Sequence, residues 1–340
     1  MVEELAKIAN RMMKEGRFPR KWKVAKLVLI PKAAKGVESE IPKARPICLI
    51  DDIGKCLERI IVERIESWME RMALRGLSFG SIASNQYRFR KNRSTIDALG
   101  KVKEIAQEAI RNGETAVIIS LDIENAFNSI PWAEIRKMLV RKRVPKYLRR
   151  ILFDYFKDRY VEFPVKDGSR NRIEVRKGVP QGSVLDPLIW LMVYDKVLRV
   201  KRERGCEVIG YVDDTIITSV SATYEDTKTR ACIQAERIHT ISKLGLKVAV
   251  EKTEVMTFQG RRGKRPPKED SVCLNGKEIK VGKSLKYLGV ILDEKLNFKE
   301  HFRYVQDKVE KIKRALCKLM LNLDHTRTRG DSMHTSYSLW

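Results

Sequence analysis

Residues 208–220 read VIGYVDDTIITSV, two apolar, β-branched runs with the adjacent carboxylates Asp213 and Asp214 between them. Such runs favour strands, and so short a break predicts a tight hairpin with both carboxylates at its tip. A second stretch, AVIISLDI at 116–123, is β-branched, bounded by charge, and reads as a buried strand with Asp122 near its end. A carboxylate ending an apolar strand is costly unless it is paired, solvated or bound to a cation. If the two strands lie side by side, Asp122 and Asp213 converge on one point. Converging hard oxygen ligands suit Mg²⁺, which takes a few carboxylates plus substrate phosphates. Two such ions can activate an attacking hydroxyl and stabilise the leaving oxygen of a phosphoryl transfer. Taken one at a time, the aspartates could equally be turn residues that cap the backbone.

Outward from these strands, helices and strands mix without a regular βαβ repeat, which favours an α+β fold. Residues 2–15 read as a helix and 24–30 as a strand ending at Pro31. Ile53, Leu57, Ile60, Ile61, Ile65 and Met69 keep helical spacing over 51–73. A helix over 94–111 is stopped by Asn112-Gly113. Helices at 131–142 and 146–157 precede a hairpin over 159–177 that turns at Asp167-Gly168. Helices over 184–200 and 223–243, strands at 253–259, 272–281 and 286–292, and a helix from 298 complete the pattern.

The 340 residues, 43% of them apolar, allow two or three subdomains around a sizeable core. Lys and Arg number 69 against 44 Asp and Glu, a formal charge of +25. A folded chain that basic seeks polyanions, nucleic acid first. An acidic membrane surface or an RNA scaffold would satisfy the same charge. The six cysteines are scattered, with no CxxC pair and no histidine cluster, so neither a zinc knuckle nor a disulfide framework is expected. Buried, reduced thiols are expected instead. The charged, amphipathic start is no signal peptide, and no apolar run reaches the roughly 18 residues of a membrane span. These features predict a soluble, intracellular protein of nucleus or cytoplasm, with no membrane partner. The basic runs GRRGKRPPKE (260–269) and RKRVPKYLRR (141–150) read as solvated, the second better placed to face nucleic acid. Gly276 to Ser284 imitates a phosphate-binding loop but has five residues between its glycines and a strand after it, so it is rejected.

Longer blocks follow one another along the chain. FPRKWKVAKLVLIPK (18–32) and ARPICLIDDIGKCLERIIVERI (44–65) come first, then NQYRFRKNRSTIDAL (85–99) and SLDIENAF (120–127). GVPQGSVL (178–185), GYVDD (210–214), GLKVAVEKTEVMTF (245–258) and LKYLGVILD (285–293) complete the series. In kind and order these blocks resemble those of reverse transcriptases, in particular the enzymes of non-LTR (LINE-type) retrotransposons. The resemblance implies a right-hand polymerase with fingers, palm and partial thumb, whose palm is a ferredoxin-like split βαβ. It assigns fingers to 1–115 and 136–178, palm to 116–135 and 179–282, and primer grip with a truncated thumb to 283–340. The implied activity is RNA-directed DNA polymerisation, adding deoxynucleoside triphosphates to a DNA primer on an RNA template. Two Mg²⁺ ions, or Mn²⁺ in their place, are the implied cofactors.

The resemblance also assigns roles. Asp122 and Asp213 would bind both metals, Asp214 more weakly, and the carbonyl of Ile123 would join them. The amides of Asn125 and Ala126 would cradle the triphosphate, and Phe127 would be the steric gate against a ribose 2′-hydroxyl. Gln181 and Gly182 would sit beside the incoming nucleotide, and Lys32 and Arg45 would hold its phosphates. Lys252 would protonate pyrophosphate and Tyr211 would lie beneath the primer end. On the residues alone, Phe127 could be core, Tyr211 a structural strand residue, and the three cations ordinary surface charges.

Some positions depart from the family pattern. Arg88, Asn92 and Asp186 stand where glycine is usual, and Asn128 where aspartate is. Arginine tolerates a left-handed backbone poorly, so a loosened or slower enzyme is expected. The lack of an upstream endonuclease domain and of apolar periodicity after Leu323 suggests a piece of a longer polyprotein. An inactive, decaying fragment that only binds nucleic acid is the alternative. A third reading is an RNA-copying RNA polymerase or an intron maturase; Phe127 argues against an RNA product, since a ribonucleotide needs room for its 2′-hydroxyl, and the block 85–99 favours the retrotransposon type.

Overall fold

The computed structural model describes residues 2–31, 44–165, 167–239, 244–259 and 270–321; Lys32, the basic run 260–269 and the tail beyond 321 lie outside them. Two units divide between Lys283 and Ser284.

In the first unit α1 (Val2–Glu15) precedes β1 (Val24–Pro31), which pairs antiparallel with β2 (Ala44–Leu49). The sequence pattern does not announce β2, because Arg45-Pro46 interrupts its apolar run. A proline is tolerated on an edge strand, and β2 is the edge of its sheet. Helix α2 (Asp52–Leu74) starts where the Asp51 carboxylate accepts from the amides of Ile53 and Gly54. Helix α3 (Thr95–Asn112) lies between a Ser94–Asp97 capping box and Gly113, whose φ of 76° closes its C-terminus. Next come β3 (Thr115–Leu121), β4 (Ile123–Glu124), the single turn α4 (Ala126–Ser129), α5 (Trp132–Arg141) and α6 (Lys146–Tyr155). The hairpin of β5 (Arg159–Pro164) and β6 (Arg170–Val175) completes a four-stranded sheet, β2-β1-β5-β6, with β5 parallel to β1.

Helix α7 (Asp186–Leu198) is apolar all round and buries Ile189, Trp190, Met192 and Tyr194 completely, as a central helix should. Then follow β7 (Cys206–Tyr211), β8 (Asp214–Ser221), α8 (Tyr224–His239), β9 (Lys247–Val248), β10 (Glu254–Gln259), β11 (Ser271–Leu274) and β12 (Lys277–Gly282). The main sheet runs β11-β12-β10-β3-β8-β7. Its elements β3, α7, β7, β8, α8 and β10 form a βαββαβ unit whose strands lie fourth, first, third, second, all antiparallel. This is the ferredoxin-like split βαβ. β3 lies between β10 and β8, with α3 and α8 against it, so its side chains are nearly all buried. Because Leu121 pairs with Thr215, Asp122 and the β7–β8 tip emerge together at one sheet end.

Four expectations change. The span 286–292 is not one strand but parts of two, Ser284–Tyr287 and Val290–Asp293. The span 272–281 is two strands, since Asn275 and Gly276, at φ 51° and 74°, form a hairpin turn. In the cluster 141–150, Lys142 is buried, 2.7 Å from Asp195. All six cysteines are free, but Cys56, Cys273 and Cys317 are exposed.

The second unit joins β13 (Ser284–Tyr287) and β14 (Val290–Asp293) through Leu288 and Gly289. Asp293 then accepts from the amides of Lys295, Asn297 and Phe298 and leads the chain into α9 (Lys299–Leu321). Among the described residues no helix is long and apolar enough to cross a membrane.

Candidate active site

Only Val212 and Asp213 connect β7 to β8, with Tyr211 paired to Asp214. Val212 has a φ of 65°, which a β-branched residue resists. Positive φ at the first turn residue alone is type II′ geometry, where glycine is preferred. Two long-range partners hold the turn. Gln86 Oε1 accepts from the Val212 amide at 3.3 Å, and Trp190 Nε1 donates to the Val212 carbonyl at 2.9 Å. Backbone strain of roughly 1–3 kcal/mol persists where surroundings over-determine it.

Asp122 stands between β3 and β4, where its carbonyl accepts from the Ala249 amide at 2.8 Å. In an antiparallel ladder, bonded and non-bonded pairs alternate. With Asp122 and Ala249 a bonded pair, the Ile123–Val248 pair is non-bonded, so the Ile123 carbonyl faces away from β9. Asn125 takes φ 45° and starts α4, and the Phe127 ring leans on Trp190 at 5.2 Å. The Val179 amide donates to the Phe127 carbonyl at 2.9 Å, fastening this turn to the loop that carries Gln181.

That loop is clamped twice. The Cys48 amide in β2 donates to the Gln181 carbonyl at 2.8 Å, and a Cβ on Gly182, at φ 115°, would lie 2.6 Å from the Cys48 carbonyl oxygen. The small residue here accommodates strand β2. On the other side the fully buried Glu58 carboxylate accepts from Tyr155 Oη (2.7 Å), Ser183 Oγ (2.9 Å) and the Val184 amide (2.8 Å).

These elements enclose a cleft of about 530 Å³ lined by Arg45, Asp122, Ile123, Asn125, Ala126, Phe127, Gln181, Tyr211, Asp213, Asp214 and Lys252. Of the predicted site residues, Gly182 is set back beside Gln181, and Lys32 lies outside the described residues. Burial, then the charge of Asp122, raises the Asp213 carboxyl, while Lys252 and Arg45 pull it down. Burial and the charges of Asp213 and Asp122 push Asp214 up to about 6. Lys252 Nζ lies 2.6 Å from Asp122, and this hydrogen bond raises the ammonium further from neutrality. A proton donor to pyrophosphate works best near ambient pH, so Lys252 would have to leave Asp122 to serve as one.

Among the described residues no cluster of three or more histidine, cysteine or acidic side chains forms a ready metal cage. Mutually repelling carboxylates beside an outward backbone carbonyl still fit a hard divalent cation, which completes its shell with water and substrate oxygens. Zinc and copper favour imidazole or thiolate ligands, and no histidine or cysteine lines the cleft.

Several supporting residues were not predicted. Gln86 and Trp190 act through tertiary contacts and leave no local trace. Glu58 did leave one, because Gly54, Glu58, Ile61 and Ile65 share the buried stripe of α2. A charge on an apolar stripe needs donors. Arg88, expected only to strain its loop, lines the cleft.

The profile of the family described as reverse transcriptase (RNA-dependent DNA polymerase) matches residues 30–292. The Pol polyprotein of the type-1 retrotransposable element R1 of Bradysia coprophila is 30% identical over 302 residues, 87% of this chain and 28% of that protein. The RNA-directed DNA polymerase from the mobile element jockey of Drosophila melanogaster is 29% identical over 318 residues, 89% of this chain and 32% of that protein. The chain thus spans about three-tenths of these relatives' length. A truncated apo telomerase from Candida tropicalis shares the fold, with a TM-score of 0.57 at 11% identity over 87% of this chain and 59% of that one. With a right-hand polymerase fold and a family match over most of its length, the chain belongs to the reverse transcriptases, in the non-LTR retrotransposon branch.

Proposed function

We propose that this chain is the polymerase core of an RNA-directed DNA polymerase, which adds deoxynucleoside triphosphates to a DNA primer on an RNA template. The observation that carries this reading is the meeting of Asp122, Asp213 and Asp214 at one cleft, close enough that Asp122 raises the proton affinity of Asp213 and both raise that of Asp214. Reverse transcriptases as a class use a divalent metal, a template and a primer. Here Asp122, Asp213 and the Ile123 carbonyl would hold two Mg²⁺ ions, or Mn²⁺ in their place, with Asp214 more weakly engaged. When bound, they supply charge to activate the primer hydroxyl and to stabilise the leaving pyrophosphate.

The chain's own groups do the rest. Arg45, whose charge already acts on Asp213, orients the triphosphate together with the Asn125 and Ala126 amides. Lys32 is assigned the same task. Gln181 and Gly182 flank the incoming nucleotide, and Tyr211 supports the primer end. Lys252, which in this structure bonds to Asp122, would leave that carboxylate to donate a proton to the pyrophosphate. The Phe127 ring, backed by Trp190, excludes a 2′-hydroxyl. Fingers comprise 1–115 and 136–178, palm 116–135 and 179–282, and primer grip with part of the thumb 283–340.

Primer extension on an RNA template with Mg²⁺ tests the reading, with Asp213→Ala alongside. Extension by the parent alone is expected; equal extension by both, or none by either while the duplex binds, overturns it. Phe127→Ala should admit ribonucleotides, read as the ratio of kcat/KM for deoxy- and ribonucleotides, and an unchanged ratio removes the gate.

A further inference from the structure

Arg88 stands in the block where relatives are expected to carry glycine, yet its backbone is ordinary. The left-handed conformations fall on Phe89 (φ 55°) and Asn92 (φ 58°) instead. The segment before it is locked to β7: the Gly210 amide donates to the Asn85 carbonyl and the Tyr87 amide to the Gly210 carbonyl, each at 2.9 Å. Gln86 Oε1 adds bonds from the amides of Arg88 (3.3 Å) and Val212 (3.3 Å). The root of the Arg88 side chain is therefore tied to the same turn that carries Asp213.

The side chain is as well placed as its root. Its Nη1 donates to the Tyr211 hydroxyl at 2.7 Å, and its guanidinium carbon lies 5.3 Å from the Tyr211 ring centre and 5.0 Å from that of Phe89. It lines the catalytic cleft. Among the described residues the guanidinium makes this one hydrogen bond, of five available donors, and no carboxylate pairs with it. Arg45 and Lys252 are the cations that act most on Asp213, and Lys252 on Asp214. A preorganised, unneutralised guanidinium inside the cleft but apart from the metal carboxylates suits a fork of hydrogen bonds to phosphate.

We propose that Arg88 is a phosphodiester-binding residue, taking one backbone phosphate of the nucleic-acid strand that passes over Tyr211. The inference rests on the polymerase reading of the cleft, and either primer or template could supply the phosphate. The test measures binding of an RNA–DNA primer–template to the full chain without nucleotides, between 50 and 200 mM salt. Arg88→Ala should bind about tenfold more weakly, and its slope of log affinity against log salt should fall by about one.

Single neutral methylphosphonate linkages are then walked along each strand. The parent should lose about tenfold at one linkage, Arg88→Ala should lose nothing there, and the strand carrying that linkage names the source. Tyr211→Phe, which keeps the arginine, should retain the sensitivity; if it behaves as Arg88→Ala does, the arginine acts through the tyrosine and the proposal falls. An unchanged slope in folded Arg88→Ala, or a raised KM for deoxynucleotides with duplex affinity intact, also overturns it. Primer extension by the parent against Asp213→Ala reports on the polymerase reading separately, since duplex binding needs no catalysis.

Discussion

Replacing Asp186 with asparagine should abolish a pH-dependent weakness in the fold. Asp186 opens α7 with 7% of its surface exposed, and its Oδ1 has no hydrogen-bond partner. Burial first, and the neighbouring Glu58 second, push its carboxyl up to about 8. An unfolded aspartate titrates near 3.9. Between those values the folded protein keeps the proton and the unfolded chain has lost it. The stability this contributes is complete below pH 4 and is lost as pH rises through about 8, at roughly 1.4 kcal/mol per pH unit. From pH 5.5 to 8 the loss is therefore on the order of 3 kcal/mol, and it levels off above 8.

Asparagine cannot ionise, so other titrating groups cancel when the two proteins are compared. Urea midpoints at pH 5.5, 6.5, 7.5 and 8.5 give the free-energy difference between parent and Asp186→Asn. That difference should move steadily in favour of the variant across the series. A difference that stays constant with pH would refute the reasoning, because it would mean Asp186 has the same proton affinity folded and unfolded. A difference moving the other way would mean that the carboxylate is paired.

Three other outcomes follow from the same geometry. Glu58→Ala removes the acceptor for Tyr155, Ser183 and the Val184 amide; a urea midpoint should show a loss of at least about 1–3 kcal/mol, the cost of one buried donor left unsatisfied, and a loss under 1 kcal/mol would show the donors repartner freely. Gly182→Ala drives a Cβ to 2.6 Å from the Cys48 carbonyl; destabilisation of about 1–3 kcal/mol and a raised KM for deoxynucleotides are expected, and wild-type values for both would show that β2 yields. Asp214 is raised to about 6, so it is neutral below that pH; cation binding requires the carboxylate, so affinity for Mg²⁺ should fall as pH drops through 6, and equal affinities by calorimetry at pH 5 and 7.5 would sink the assignment.

The parts of the fold legible in the sequence are those whose physics is local. Thr115–Leu121 and Cys206–Tyr211 are β-branched runs that only a buried strand explains, and the apolar stripes of α2 and α3 come with caps at Asp51 and Ser94. β2 was invisible because its stability comes from pairing with β1, while Pro46 argues locally against it. The carboxylates of the cleft were legible as well, being charges in apolar surroundings. Their supports were not: Gln86 and Trp190 lie more than a hundred residues and about two dozen residues, respectively, from the turn they hold, and neither has a local signature.

The departures from glycine at 88 and 186 show where reading from pattern misleads. Both suggested a backbone forced into a left-handed state, and neither residue has positive φ. The pressure at each is chemical instead: Arg88 brings a cation into the cleft proposed to take polyanions, and Asp186 brings a carboxyl into a core that already holds Glu58. The β-branched residue with positive φ is Val212, which no pattern singled out, because valine reads as strand and its neighbours 208–211 and 214–221 are strand. Local preference and tertiary demand disagree most sharply at the turn that presents Asp213, as is expected where function overrides propensity. A side chain that prefers extended backbone, held in a turn by Gln86 and Trp190, fixes the Asp213 carboxylate without metal or substrate. Relieving the turn with Val212→Gly should therefore lower kcat, since glycine would let Asp213 wander, while the roughly 1–3 kcal/mol of strain relieved is offset by the loss of a buried valine side chain. A variant equally active would show that the strain does nothing for catalysis.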